Sequence, residues 1–239
     1  MTRPNPEPRI WVIVPAAGIG ARMGADRPKQ YLTLQGRYLL DITLERLLVS
    51  PHIGQLHLAL HPDDDWWPRS GFADDARVVT YTGGTERADS VRLGLAAVAT
   101  AAAPEDWVMV HDVARPCIDP TDIDRLVTSL ADDVVGGLLA VPMSDTVKRR
   151  DAEGRVSETV DRSVLWRAYT PQMFRFETLR RALEEAAETG RTVTDEASAV
   201  EALGLAPKLV EGRPDNLKVT VPEDLALVEA ILAYNKESS

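Results

Sequence analysis

A glycine-rich segment with two cationic side chains, PAAGIGARMGADRPKQ from Pro15 to Gln30, directly follows an apolar run. Glycine lets backbone N–H groups come close to phosphate oxygens, and a loop placed after a strand is where nucleotide enzymes hold phosphates. Arg22 and Lys29 add two positive charges to this loop. Such charges suit a triphosphate undergoing chemistry, because negative charge shifts along it in the transition state. The alternative is a tight β–α turn with two solvated cations.

The loop departs from two common phosphate-binding motifs. A dinucleotide fingerprint G-x-G-x-x-G starting at Gly18 would need glycine where the chain has Met23. A Walker loop would end in G-K-[ST], which is absent. The first departure, together with the two cations, disfavours a dinucleotide-binding oxidoreductase.

Asp112 is the best candidate for a metal-binding carboxylate, because it follows the apolar run Trp107–Val110. Mg²⁺ prefers oxygen ligands and usually takes one or two carboxylates plus phosphate and water. Asp215 is the candidate for a second carboxylate. The alternative for Asp112 is a structural acid paired with Arg115. The run Asp63-Asp64-Asp65 is interpreted as a solvated loop rather than a site.

Short apolar runs alternate with amphipathic segments along the chain. The predicted strands are Trp11–Val14, Gln55–Leu60, Arg77–Tyr81, Trp107–Val110 and Val135–Val141, and the predicted helices are Leu39–Val49, Ala88–Ala101, Thr121–Ala131, Glu177–Thr189, Asp195–Leu203 and Pro222–Tyr234. This alternation predicts an α/β fold, a mainly parallel twisted sheet with helices on both faces. Ligands of such sheets bind outside the carboxyl ends of the strands. Thr194 is expected to cap the helix that follows it.

One polar segment, from Ser144 to Arg167, interrupts the alternation. Two β-capable runs flank Asp151-Ala152-Glu153-Gly154, which is a hairpin signature. We therefore expect a protruding β-hairpin arm over residues 142–167. Because isolated two-stranded hairpins are marginal in water, the arm is expected to pack on a partner.

Composition restricts the function classes. The 239 residues carry a net charge of −10, and we expect one domain over residues 1–239, with 1–9 as a flexible tail. An acidic chain argues against general nucleic-acid binding, and no apolar run is long enough to span a membrane. The single cysteine, Cys117, is expected to be buried and fits a reducing, cytoplasmic compartment.

A series of motifs then points to one family. They are PAAGIGARM, PKQY, GGTERADSV (Gly83–Val91), VHDVARP (Val110–Pro116), SDTVKR (Ser144–Arg149), TVDR (Thr159–Arg162), TPQ (Thr170–Gln172), TDEAS (Thr194–Ser198) and DNLKVT (Asp215–Thr220). In this order, from about Trp11 to Tyr234, the series closely resembles the 2-C-methyl-D-erythritol 4-phosphate cytidylyltransferase family. The VHD-x-ARP motif is specific, whereas a glycine loop alone is not.

The resemblance implies a Rossmann-like nucleotide-diphospho-sugar transferase fold and cytidylyl transfer from CTP to 2-C-methyl-D-erythritol 4-phosphate in non-mevalonate isoprenoid biosynthesis. It implies Mg²⁺ as cofactor and Arg22, Lys29 and Lys218 as catalytic cations. The implied nucleotide-binding residues are Pro15, Ala16, Ala17, Gly18, Gly20, Gly84, Thr85, Ser90, Asp112 and Val113. Thr85 and Val113 depart from the acidic and the small residue usual at those positions. The acceptor phosphate is already an anion, so catalysis needs positioning and charge neutralisation rather than a strong base.

The resemblance also implies a homodimer in which the arm reaches the neighbouring subunit. Asp112, Arg115, Thr146, Arg162 and Lys218 are the implied acceptor residues, Thr146 and Arg162 belonging to the arm. Thr170 is a possible support of the site. The alternatives are a ribitol-5-phosphate cytidylyltransferase, which shares the fold and the CTP chemistry, and a catalytically silent nucleotide-binding module.

Overall fold

The computed structural model describes residues 9–18 and 27–237, and within them a seven-stranded sheet forms the centre of the fold. Its strands are β1 (Ile10–Pro15), β4 (Leu56–Leu60), β5 (Val78–Thr82), β6 (Trp107–Val110), β7 (Gly136–Pro142), β10 (Trp166–Arg175) and β11 (Lys208–Glu211). The spatial order is β11-β7-β10-β6-β1-β4-β5. Short strands β2 (Thr33–Leu34) and β3 (Arg37–Tyr38) pair separately. The five predicted strands are all present, with ends displaced by at most one residue.

The sheet is parallel except at one strand. Val12 of β1 lies beside Leu56 on one side and Met109 on the other, both in parallel register. The strand β10 runs antiparallel between β6 and β7. The predicted strands omit β10 and β11. The strand β10 contains Pro171 and several polar residues, so it lacks an apolar strand pattern. In β11 only Val210 is buried, so it has no apolar run either.

Helices cover both faces of the sheet, as predicted for this α/β fold. They are α1 (Leu39–Leu48), α2 (Arg87–Val98), α3 (Pro120–Leu130), α4 (Phe176–Glu188), α5 (Glu196–Ala202) and α6 (Glu223–Glu237). Alternation along β1 divides the core: Val12 and Val14 belong to the cluster with α1 and α3, and Ile13 to the cluster with α2, α4 and α5. None of the helices in the described ranges is long and apolar enough to cross a membrane.

A third apolar cluster joins α6 to α1. Val228 and Leu232 pack with Leu39 and with Cys117, which is 1% exposed. Burial raises the pKa of the Cys117 thiol to about 12. The prediction that this cysteine is a small buried side chain is therefore confirmed.

The start of α5 differs in detail from expectation, and the start of α2 has a similar cap. Asp195, rather than Thr194, is the N-cap of α5, because its carboxylate accepts the N–H of Ser198 at 3.0 Å while the Ser198 hydroxyl lies against the Asp195 backbone N–H. At α2 the N-cap is Glu86, in a reciprocal arrangement with Asp89. Thr85 is left facing the carboxyl edge of the sheet.

The hairpin arm is present. Strands β8 (Val147–Arg150) and β9 (Val156–Val160) pair antiparallel and separately from the main sheet. Gly154 makes the turn with φ +83°, a left-handed conformation that favours glycine. The arm strands are largely exposed, so the arm contributes little to the core of its own chain.

Candidate active site

An open cavity of about 650 Å³, counting its solvent-filled mouth, lies at the carboxyl ends of β1, β5 and β6. Of the predicted site residues, those on its wall are Pro15, Ala16, Ala17, Gly18, Lys29, Gly84, Thr85, Ser90, Asp112, Val113 and Lys218. The wall also includes Gln30, Glu86, Arg87 and Ala114. The predicted residues Gly20 and Arg22 lie outside the described ranges.

Main-chain groups and small side chains form one side of the cavity. The Gln30 amide donates to the Ala16 carbonyl at 2.7 Å, and the Gly84 N–H donates to the Ser90 hydroxyl at 3.1 Å. There is no room for a side chain at Gly83, since a Cβ there would lie 2.4 Å from the Cβ of Ala17. This side is therefore shaped by backbone rather than by adaptable side chains.

Asp112 is the centre of charge on the cavity wall. One of its oxygens accepts Arg87 Nε at 2.7 Å and the other accepts Lys218 Nζ at 2.7 Å. Arg115 Nε lies 3.7 Å from the second oxygen. Burial by itself raises the pKa of Asp112. The neighbouring cations lower this pKa by more than burial raises it, so it lies well below its usual range. Asp112 is therefore an ionised carboxylate on the cavity wall.

A chain of buried hydrogen bonds holds the backbone of Asp112. The Asp112 N–H donates to the Thr170 hydroxyl at 3.1 Å, and that hydroxyl lies 3.1 Å from Nδ1 of His111. The other His111 nitrogen faces the Arg115 carbonyl at 3.2 Å, so Nε2 must donate and Nδ1 must accept. Burial is the main cause that lowers the pKa of His111 to about 4, which keeps the imidazole neutral.

Lys29 connects the glycine-rich segment to the C-terminal part of the chain. It begins a single 3₁₀ turn, Lys29–Tyr31, and its ammonium donates to the Val219 carbonyl at 3.0 Å. Since Lys218 precedes Val219, the two predicted catalytic lysines lie on adjoining parts of the same wall.

Arg87 also lies on the cavity wall, although it was not among the predicted site residues. Its two terminal nitrogens donate to both oxygens of Glu196 at 2.7 and 2.9 Å, while its Nε binds Asp112. Glu196 is 109 positions away in sequence, and no local pattern indicates such a pairing.

The comparisons with known proteins identify the family. The model of the 2-C-methyl-D-erythritol 4-phosphate cytidylyltransferase family matches residues 10–234. The cytidylyltransferase of that name from Hahella chejuensis is 54% identical over 95% of this chain and 94% of its own length. The chain belongs to this family. The Pseudomonas aeruginosa member is 56% identical over 91% of this chain and 94% of its own length.

Solved structures of the family share the fold. A 4-diphosphocytidyl-2C-methyl-D-erythritol synthase is 36% identical, with a TM-score of 0.82 over 95% of this chain and all of its own. The Francisella tularensis cytidylyltransferase is 34% identical, with a TM-score of 0.81 over 93% of this chain and 99% of its own. The fold is therefore that of the nucleotidyltransferases, and the chain is a cytidylyltransferase of methylerythritol phosphate isoprenoid biosynthesis. The ribitol phosphate alternative is not favoured.

Four residues expected of this cytidylyltransferase lie off the cavity wall. Arg115 is 8% exposed, donates to the Asn216 carbonyl and stacks on the Tyr169 ring. Asp215 forms a two-point pair with Arg213 at 2.6 and 3.0 Å. Thr146 and Arg162 are exposed at the base of the arm, where Arg162 donates to the Ser144 carbonyl. Arg115 does lie beside Asp112, which agrees with the alternative interpretation of Asp112 as a structural acid paired with Arg115.

One of the two departures from the family pattern, Val113, fits the structure. The Val113 side chain is 6% exposed within the apolar core, and its carbonyl accepts the Thr43 hydroxyl at 2.8 Å. The larger side chain is therefore accommodated by packing in the core at the edge of the cavity, and a buried hydroxyl holds its backbone in place.

The donor set of this cytidylyltransferase suits a magnesium ion that arrives with a nucleotide. In the described ranges, no cluster of three or more acidic, histidine or cysteine side chains is arranged to hold a metal. Asp112 offers one ionised carboxylate at the wall. Mg²⁺ is commonly held by one or two carboxylates together with substrate phosphates and water, so Asp112 fits such a site.

Proposed function

We propose that this chain transfers a cytidylyl group from CTP to 2-C-methyl-D-erythritol 4-phosphate, releasing pyrophosphate. The observation that carries the proposal is one cavity whose wall combines backbone groups and small side chains with Lys29, Lys218 and Asp112. The narrow frame suits a single-ring base, and the cations suit phosphates.

The cavity groups explain how the reaction proceeds without a strong base. An acceptor phosphate oxygen attacks the α-phosphorus of CTP, and the bond to the pyrophosphate oxygen breaks. Lys29 neutralises charge at the α-phosphorus and on the leaving group, as Arg22 does by family resemblance. Lys218 holds the acceptor phosphate. To do so, its ammonium gives up the contact with Asp112. Cations that already lie on the cavity wall stabilise charge as it develops.

Mg²⁺ is proposed as the cofactor, with Asp112 as its protein ligand. When bound, the ion would neutralise part of the charge on the phosphates. Activity in excess Mg²⁺ and after chelation with EDTA tests this assignment. Undiminished activity in EDTA would overturn it.

A pyrophosphate-release assay tests the reaction itself. Wild-type protein is supplied with CTP and either 2-C-methyl-D-erythritol 4-phosphate or ribitol 5-phosphate, with Lys29→Ala as the inactive control. We expect release with the first acceptor only. Release only with ribitol 5-phosphate would reject the acceptor, and no release with either would reject the transferase.

We also propose that the chain acts as a homodimer whose arms complete the neighbour's site. Thr146 and Arg162 are exposed and do not line the cavity of their own chain, which supports a role elsewhere. Mixing Arg162→Ala with Lys29→Ala subunits tests the arrangement. After random exchange about half the dimers are mixed, and each has one intact site, so about a quarter of wild-type activity should return. Verified exchange without recovery would contradict the crossed arms.

A further inference from the structure

Arg87 joins two carboxylates that play different parts in the fold. Its Nε donates to Asp112 on the cavity wall, and its terminal nitrogens donate to Glu196, whose side chain is 0% exposed. We propose that Arg87 is a positioning residue that holds the Asp112 carboxylate in its productive orientation, and that Glu196 is the anchor of Arg87. The inference rests on the proposed cytidylyl transfer and adds two residues to it.

The geometry fixes Asp112 through a rigid group. A guanidinium is planar, and the three nitrogens of Arg87 are all engaged with carboxylate oxygens at 2.7–2.9 Å. The two-point contact with Glu196 sets the plane of the guanidinium, and this plane sets where Nε meets the first Asp112 oxygen. The second Asp112 oxygen then faces Lys218. Loss of Arg87, or of Glu196 behind it, would free Asp112 to rotate.

Charge balance explains why the buried Glu196 lies next to Arg87. Arg87, Arg115 and Lys218 all approach Asp112. Three cations around one carboxylate would leave a large positive excess, and Glu196 offsets part of it. Burying a carboxylate fully destabilises the fold unless the carboxylate is paired with a cation and hydrogen-bonded. Arg87 provides both interactions for Glu196.

The competing explanation is a clasp that only ties α2 to α5. Arg87 is the first residue of α2 and Glu196 the first of α5, so their pair also joins two helices. A clasp would change stability without acting through Asp112. A double-mutant cycle separates the two explanations, because residues that act through one another are not additive.

The experiment compares Arg87→Lys, Glu196→Gln, Asp112→Asn and the double variant Arg87→Lys with Asp112→Asn. Arg125→Lys is the matched control, because Arg125 also pairs at 2.6 Å with a fully buried carboxylate, Asp122, and neither residue lines the cavity. Turnover and KM for CTP are measured by pyrophosphate release on folded protein, alongside the Tm of each variant.

We expect Arg87→Lys and Glu196→Gln each to lower kcat by about tenfold to a hundredfold, the usual effect of removing a partner that orients a site ligand. Arg125→Lys should leave kcat unchanged. In the Asp112→Asn background, Arg87→Lys should cost less than about a third of its factor in the wild type. An equal factor in both backgrounds, or wild-type kcat in Arg87→Lys, would overturn the inference.

A crystal structure of Arg87→Lys provides a readout that does not depend on the reaction. The Asp112 side chain should take a different rotamer from the wild type, and an unchanged rotamer would count against the positioning role. A wild type that is inactive with both acceptors would reject the proposed function, while the structure of the variant still decides the question about Arg87.

Discussion

The neutral, buried His111 makes the stability of the fold depend on pH in a defined direction. Its pKa is about 4 in the folded chain, against 6.5 for an ordinary histidine. The unfolded chain therefore binds a proton at a pH where the folded chain does not. The stabilisation is fully present above pH 6.5, declines as the pH falls from 6.5 towards 4, and is wholly lost below 4.

The size of the effect follows from these two pKa values. The complete loss is on the order of 3 kcal/mol, since one pKa unit corresponds to about 1.4 kcal/mol. Between pH 7 and pH 5, a range in which ordinary carboxylates stay largely ionised, linkage assigns about 2 kcal/mol to His111. For a chain of this size, that loss lowers the Tm by roughly 4–8 °C.

Urea unfolding at pH 7 and pH 5 tests the prediction in wild type and in His111→Gln. The glutamine amide can still donate towards the Arg115 carbonyl but does not titrate near these pH values. The wild type should lose about 2 kcal/mol more than the variant over this interval. Because His57, whose pKa is also lowered by burial, is present in both proteins, its contribution cancels. Parallel pH dependence of the two proteins would refute the reasoning.

Three further predictions concern the cavity. Lys29→Ala should lower kcat about a hundredfold to a thousandfold in pyrophosphate release, because it removes one charge-stabilising donor, and near-normal turnover would reject that role. Gly83→Ala should cost about 1–3 kcal/mol in urea unfolding and raise the KM for CTP, because its Cβ would lie 2.4 Å from that of Ala17. Gly54→Ala, with no atom within 4 Å of the added Cβ, should leave KM unchanged, and equal KM values in the two variants would contradict the tight frame. CTP should be used far more efficiently than ATP, because the frame suits a single-ring base; equal kcat/KM values would overturn that model.

Local sequence signals were sufficient for the parts of the fold that repeat a simple pattern. The apolar runs at β1 and β6 mark central strands, and Asp112, two residues after β6, therefore had to lie at the ligand edge of the sheet. The glycine at position 154 marked the turn of the arm. In each case the feature depends on neighbours a few residues away, which is the range over which such patterns carry information.

Features that depend on distant pairing were not predictable in the same way. The strand β10 contains a proline and alternates poorly, and only its position between β6 and β7 makes it a central strand. Arg87 and Glu196 lie 109 positions apart, so no spacing rule connects them.

The antiparallel strand β10 has a consequence for the order in which the protein can be completed during synthesis. The residues of the backbone frame and Asp112 leave the ribosome early, but Thr170, which accepts the Asp112 N–H, lies in β10. Until β10 inserts between β6 and β7, these two strands lack a shared neighbour and the sheet is divided. Lys218 is translated later still. A nascent chain that ends before β10 therefore has the glycine-rich segment but not a finished site, so a truncated product should not compete for nucleotide as the full chain does.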